Sequence, residues 1–287
     1  MHRFQGNGAT MFLESMLPSA LQELEYGDQE DYALNRGTLS LILNEDGGII
    51  DDCVVTRWGH NTYYVVSNAA NAAVVLEHFD EAVADWNVDP NNVWHKVSCE
   101  PLDGWGLIAL QGPRAADVLK HVMGPEARVR FKLESMYFSQ SGFFPLLGND
   151  VESYHVSRTG YTGEDGFEIS IPGDMTDIVA QRLLDAGVQL DAKDGSSGLV
   201  KMCGLAARDS LRIEAGLCLM GTDMTNATHA SEAALGWVIA KERRDSPNLF
   251  KGAARTLAGL KKGGSERKRI GLALEKGPPA RSESLLF

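Results

Sequence analysis

Between Gly37 and Asn68 three segments carry apolar side chains at strand-like spacing, "GTLSLILN", "GGIIDDCVVTRW" and "NTYYVVSN", separated by the turn-forming "NEDGG" and "WGHN". Short β-rich runs divided by glycine and asparagine predict a three-stranded antiparallel meander. Upstream, "GATMFLESM" reads as a helix from Gly8 to Met16, stopped by Pro18. Downstream, "AANAAVVLEHFDEAVADW" sets Ala72, Val75, Leu76 and Phe79 on one helical stripe. "GWGLIALQGPRAADVLKHVMG" reads as strand, turn and helix, with Pro113 suited to the first helical turn. "SYHVSRTGYTGEDGFEISIP" predicts a second hairpin turning at "GYTGEDG", and "DMTDIVAQRLLDAG" a helix closed by Gly187. "GLAARDSLRIEAG" predicts a helix ended by Gly216, where helices favour glycine. Strands and helices in this order indicate an α+β fold with antiparallel and mixed sheets. A hairpin bearing an acid, followed by a helix, occurs twice, around Asp52 and around Glu168.

From Asp245 the pattern fades. "RRDSPNLFKG" and "LKKGGSERKR" read as basic linkers, and "RIGLALEKGPPARSESLLF" begins one strand and runs out. Residues 1–250 are therefore expected to form the main body, in two α+β halves, and 251–287 a linker with the first part of another domain. The acidic "LEYGDQEDY" reads as a solvated connection.

Composition narrows the function classes. The 287 residues carry a net charge of −12, with 44% hydrophobic and 23% charged residues, as in a globular protein. That charge argues against a general nucleic-acid or anionic-membrane binder, though not against an anionic small ligand held by local arginines. No apolar run approaches the ~20 residues of a membrane span. Cys53, Cys99, Cys203 and Cys218 show no CxxC spacing, and no HExxH or HxxxH pair is present. Reduced core cysteines and no metal are expected.

Candidate chemistry lies on three elements. In "IIDD" strict alternation sends Ile49, Asp51 and Cys53 one way and Ile50, Asp52 and Val54 the other. One carboxylate can face solvent; the second needs a partner or a task. In "GFEIS" Phe167 and Ile169 share a face, and Glu168 is either on the wet side of the sheet or in a site. Arg208 and Arg212 of "AARDSLRIEAG" are one helical step apart. Either they lie on the surface, with Asp209 pairing to Arg212, or Arg208 turns inward as a fork for a planar or anionic ligand. Trp237 follows Leu235 and precedes Val238 and Ile239, a core-like setting. The "LQGP" turn at Gln111 suggests phosphate binding only weakly, since its glycine spacing is not that of a dinucleotide or P-loop site.

"GTLSLILNEDGGIIDDCVVT", "YYVVSNAAN", "LIALQGPRAADVL", "SRTGYTGEDGFEISIP" and "GLAARDSLRIEAGLCLMGTDM" together resemble the aminomethyltransferase (T-protein) family of the glycine cleavage system, from about Phe4 to Arg281. The resemblance implies a folate-binding α+β body followed by an incomplete C-terminal β-barrel. It implies transfer of a one-carbon unit from the aminomethyl-lipoyl arm of H-protein to tetrahydrofolate, giving 5,10-methylenetetrahydrofolate and ammonia. It makes Asp52 the site acid beside the pterin nitrogens and Asp51 its outward neighbour. It makes Glu168 the acceptor for the pterin 2-amino and N3–H edge, Arg208 a folate-binding residue, and Asn68 and Trp237 further site residues. A mitochondrial matrix location follows if the source is eukaryotic, cytoplasm if bacterial.

Three departures from the pattern stand out. Met220 and Thr222 replace the family's common Tyr and Asn, the usual upstream segment is absent, and the pattern ends near Arg281, which implies a chain shortened at both ends. The rival readings are a folate-dependent demethylase of the same superfamily and a truncated, non-catalytic folate-binding protein. Relatives that support iron–sulfur proteins carry a "KGCYxGQ"-like motif not found here.

Overall fold

The structure, a computed structural model, describes residues 1–26, 34–123, 133, 136–146, 153–246 and 249–273. In chain order its elements are β1 (His2–Gln5), α1 (Ala9–Met16), β2 (Asn35–Leu43), β3 (Ile49–Gly59), β4 (Thr62–Ser67), α2 (Ala72–Val88), β5 (Ser98–Pro101), β6 (Trp105–Gln111), α3 (Ala115–Val122), β7 (Gln140–Phe144), β8 (Tyr154–Ser157), β9 (Gly166–Pro172), α4 (Gly173–Asp194), α5 (Leu205–Glu214) and α6 (Ala253–Leu260). The described strands form one sheet in the order β5-β1-β4-β3-β2-β7-β8-β9-β6, with every pairing antiparallel. Both expected hairpin systems are present.

Two α+β halves meet where β2 pairs with β7 through Asn35 with Ser141 and Arg36 with Gln140. In the first half α1 and α2 cover the sheet. Phe12, Leu13, Val75 and Phe79 pack there on Phe4, Ile42, Cys53 and Val55. Ala72 is exposed, so the helical stripe of α2 is narrower than its pattern suggests. In the second half α3 and α4 cover Phe167, Ile169 and Ile171 of β9. A third core lies against β2 and β3, where Leu41, Leu43 and Ile49 pack on Cys218, Met224, Ala230, Val238, Ile239 and Phe250. Here the glycines of the "NEDGG" turn allow close approach: a Cβ on Gly48 would stand 1.9 Å from the Asn226 carbonyl oxygen.

The sheet curls. Tyr64 on β4 and Ser170 on β9 stand far apart in the strand order, yet their hydroxyls are 2.6 Å apart. Around this bond Trp58 stacks on Tyr64 at 4.4 Å, and His155 packs edge-on to Tyr64 at 5.0 Å. Among the described residues neither His155 ring nitrogen has a hydrogen-bond partner, and burial lowers its pKa to about 3, so this joint holds a neutral imidazole.

A bulge decides the faces of β3. Ile42 pairs with Asp51 and Leu43 with Ile49, leaving Ile50 as the extra residue. A bulge shifts the alternation of side chains beyond it. Ile49 therefore joins Leu41 and Leu43 in the third core, while Cys53 belongs to the α1–α2 core. Asp51, opposite Ile42, falls on the α1–α2 side; Asp52, opposite Leu41, faces the third core. This corrects the expected strict alternation. It also overturns the outward placement of Asp51, which is 0% exposed, whereas Asp52 keeps partial exposure.

Other expectations shift for local reasons. Helix α6 forms between the two basic linkers and buries Ala253 and Thr256. No strand forms over 269–273, and 274–287 lie outside the described residues, as do 27–33 of the acidic connection. Helix α5 does end at Gly216, whose φ is +73°. Among the described residues no helix is long and apolar enough to cross a membrane.

Helix α4 runs through Gly187 and closes at Gly195, which adopts φ +71°. Gly187 serves packing instead: a Cβ there would stand 2.7 Å from Cγ2 of Val200. Overpacking costs ~1–3 kcal/mol, against the ~1 kcal/mol that alanine gains over glycine in a helix. Gly187→Ala is therefore expected to lower the midpoint of urea unfolding; a raised midpoint would show that Val200 gives way freely.

Candidate functional site

The paired acids of β3 are held by one residue. Asn68, just after β4, donates its Nδ2 to Oδ1 of Asp51 at 2.6 Å and to Oδ1 of Asp52 at 2.8 Å. Its backbone N–H donates to the other Asp51 oxygen at 3.0 Å, and the Asp52 N–H donates to Asp51 Oδ1 at 3.0 Å. The strand register brings this about, because Cys53 pairs with Ser67 and so sets the end of β4 beside the start of β3. Burial raises the Asp51 pKa to about 6, offset in part by the Asn68 bonds, and burial raises that of Asp52 as well. Asp52 thus presents a partly desolvated carboxylate whose orientation is fixed from behind.

On the second half, Glu168 of β9 lies between Ala109 of β6 and Ser157 of β8. Phe167 and Ile169 point into the core, as expected. The opposite face is only partly wet: Ser170 is 1% exposed against the first half, and Glu168 is half-buried. Thr159 donates its hydroxyl to Glu168 Oε2 at 2.6 Å. Oε1 makes no hydrogen bond among the described residues.

The loop between β8 and β9 connects these parts. Tyr161 donates its hydroxyl to the Cys218 carbonyl, and the Arg208 guanidinium lies 4.8 Å from its ring centroid. Burial pushes the Tyr161 pKa up to about 12, with Arg212 and Arg208 acting in the opposite sense and Asp52 adding to the rise. Asp52 and Arg208 therefore both lie within electrostatic reach of one phenol.

Helix α5 bears out the surface alternative for Arg208 and the Asp209 pair, but it buries Arg212. Arg208 does not turn inward among the alanines; it is exposed, as are Ala206 and Ala207. Arg212 is 4% exposed. It donates to Asp209 at 2.8 Å, the pair foreseen for the surface, and to Asp223 and the Leu217 carbonyl. Trp237, core-like by pattern, is 66% exposed on a 3-10 turn, and no hydrogen bond or ring contact ties it to Asp52, Asn68, Glu168 or Arg208 among the described residues.

The structure thus joins Asp52 to Asn68 directly and sets Arg208 over the Tyr161 ring. Thr159, Tyr161 and the burial of Arg212 escaped the sequence reading. The "RTGYTGEDG" turn was a visible signal, since an aromatic residue inside so small and polar a loop calls for a partner. Among the described residues no group of three His, Cys, Asp or Glu side chains could hold a metal ion. The cysteines are free, with Cys53 and Cys218 buried, Cys99 half-buried and Cys203 exposed.

The acid pair has a consequence for pH. Asp51 titrates in the folded protein near 6, against an ordinary 3.8. Between these values the folded state binds more protons than the unfolded state, so stability falls as pH rises through this window. The stability of the wild type relative to Asp51→Asn should decline from pH 4 to pH 6 and level off above it. Urea unfolding at pH 4, 5, 6 and 7 measures this, and a pH-independent difference would contradict the raised pKa.

Comparison with known proteins now places the chain. The GCVT N-terminal domain family matches residues 2–243. A probable mitochondrial aminomethyltransferase of Schizosaccharomyces pombe is 38% identical over 274 residues, 96% of this chain and 61% of that protein. The mitochondrial aminomethyltransferase of Canis lupus familiaris is 40% identical over 264 residues, covering 92% and 59%. The crystal structure of glycine cleavage system aminomethyltransferase T from Bartonella henselae superposes with a TM-score of 0.69 at 32% identity, over 90% of this chain and 60% of that one. The chain thus spans about three-fifths of the length of these relatives. It belongs to the GCVT family, that of the glycine cleavage system aminomethyltransferases.

Proposed function

We propose that this chain carries the tetrahydrofolate site of a T-protein aminomethyltransferase. It takes the one-carbon unit from aminomethyl-lipoyl H-protein and delivers it to tetrahydrofolate. The carbon–sulfur and carbon–nitrogen bonds of the aminomethyl group break, and the carbon bridges N5 and N10 of the folate. Of the two protons those nitrogens lose, one leaves with ammonia and one goes to the lipoyl thiol. The products are 5,10-methylenetetrahydrofolate, ammonia and dihydrolipoyl H-protein.

The observation that carries this reading is Asp52: a desolvated, partly exposed carboxylate, oriented by Asn68 and electrostatically felt by the Tyr161 phenol, over which Arg208 lies. Such a group stabilises an iminium-like carbon and orients the N5/N10 region with no covalent step. Glu168, anchored at one oxygen by Thr159, offers the other to a planar edge with two N–H donors, as the pterin ring presents. Arg208 supplies positive charge for the carboxylate tail. Trp237, exposed on its 3-10 turn, enters this reading through the family resemblance alone.

The same reading assigns residues 1–250 to the folate-binding body and 251–287 to a linker and the start of a C-terminal β-barrel. The uncovered Leu205, Leu211 and Ile213 of α5 fit a further domain packing there. A mitochondrial matrix location is supported by relatives named as mitochondrial.

The test is anaerobic calorimetric titration with tetrahydrofolate, beside an assay with lipoylated H-protein. Asp52→Asn should lower turnover by about 100- to 1000-fold, the scale of losing one preorganised charge contact, with a far smaller change in folate affinity. Equal losses in both would sink the assignment. Glu168→Gln should weaken tetrahydrofolate by about 10- to 100-fold, as loss of hydrogen bonds to a charged group does. An unchanged dissociation constant would remove Glu168 from the pterin edge.

A further inference from the structure

The "LQGP" turn plays no part in the chemistry above, yet its first polar side chain is fully engaged. Gln111 ends β6 opposite Gly166, and its amide folds into the 158–166 loop. Nε2 donates to the carbonyls of Thr159 at 3.1 Å and Phe167 at 3.2 Å, while Oε1 accepts from the Thr162 hydroxyl at 3.2 Å. Two carbonyls require an NH2 group and one hydroxyl can donate to the amide oxygen, so only a carboxamide satisfies all three. These bonds use both donors of the amide, which leaves none for the phosphate weakly suggested by the motif.

The loop is built around this amide. A Cβ on Gly160 would stand 1.9 Å from Gln111 Oε1, and one on Gly166 would stand 2.6 Å from its Cδ and Nε2. Both glycines are thus places where the backbone closes on the side chain. The neighbouring Gly112 N–H donates to the Asp165 carbonyl at 2.8 Å, and the Arg158 guanidinium grips the Asp165 carboxylate at 2.8 and 2.7 Å. Within the clasp sit Thr159, which holds Glu168, and Tyr161, which meets Arg208 and the Cys218 carbonyl.

We infer that Gln111 is a positioning residue for the folate site: its carboxamide sets the 158–166 loop, and through it the orientation of Glu168 and Tyr161. The inference rests on the tetrahydrofolate reading of that site. Its first effect, the set of the loop, is independent of any ligand.

The test uses the full chain with Gln111→Met, which keeps the length and removes all three bonds, and Thr162→Val, a milder change that removes one. Hydrogen–deuterium exchange should quicken over 158–166 in both, more in Gln111→Met, while β2–β4 stay protected. Calorimetry should show tetrahydrofolate weakened at least tenfold by Gln111→Met. Combined with Glu168→Gln, the loss should fall well short of the product of the single losses, because both act on one contact. Unchanged exchange in the loop would overturn the clasp. Quickened exchange with unaltered affinity, or losses that simply multiply, would overturn the positioning role. If Gln111→Met does not fold, Thr162→Val decides by the same criteria. A wild type with no affinity for tetrahydrofolate would instead defeat the proposed function, and loop exchange would still judge the clasp.

Discussion

A carboxylate moved out of water loses hydration worth several kcal/mol unless the protein supplies donors in its place. Asp51 is such a group, and the first half of the fold is arranged around its solution. The extra residue in β3 turns Asp51 toward the α1–α2 core while its neighbour Asp52 faces the other way. Three N–H groups then reach Asp51: two from Asn68, just after β4, and one from Asp52 beside it in β3. A single amide nitrogen bonds to both acids, so the buried carboxylate and the presented one are mechanically coupled. Asp52 owes its fixed orientation to this arrangement, while Asp51 is the acid that carries the larger burial.

The curl of the sheet carries this local solution into a shared site. Among the described residues β2 and β7 meet through two residue pairs, a short seam that the Gly37 N–H extends by donating to the Ser139 carbonyl. The Tyr64–Ser170 hydrogen bond and the Trp58, Tyr64, Phe143 and His155 rings close the concave side. With that side filled, the chain beyond Gly216 wraps the face of β2 and β3 that carries Asp52. There the Tyr161 hydroxyl, from the second half, meets the Cys218 carbonyl.

Much of the fold was legible in the sequence. The meander, both hairpins and the ends of α1 and α5 follow from turn chemistry and local periodicity, which act over a few residues. The misreadings share a different cause. Gly187 looks like a helix stop, but Val200, distant in local pattern, takes the space its missing Cβ leaves. Alternation in "IIDD" looks regular, but the bulge depends on how β2 pairs with β3. Trp237 has apolar neighbours in sequence yet stands exposed, and Arg212 has charged neighbours yet is buried. Of the site, the acids and Arg208 could be named from motifs. Tyr161 and Gln111 could not be assigned a task, because their partners lie 57 and up to 56 residues along the chain.

Charge gives the last step. A protein of net charge −12 repels an anionic ligand at long range, so any attraction must come from a cation not already neutralised nearby. Arg212 does not qualify: two carboxylates and a carbonyl take its Nε and Nη1 donors and neutralise its charge, and its burial makes that pairing a condition of stability. Arg208, one helical turn away, has no ion pair among the described residues, and its guanidinium carbon lies over the Tyr161 ring. Stacking restrains the fork at a gain of ~0.5–1 kcal/mol while leaving its N–H edge open. The two arginines thus divide the work that one motif places side by side. Arg212 locks the helix end to the following turn, and Arg208 remains available, on the proposed reading, to the carboxylates of the folate.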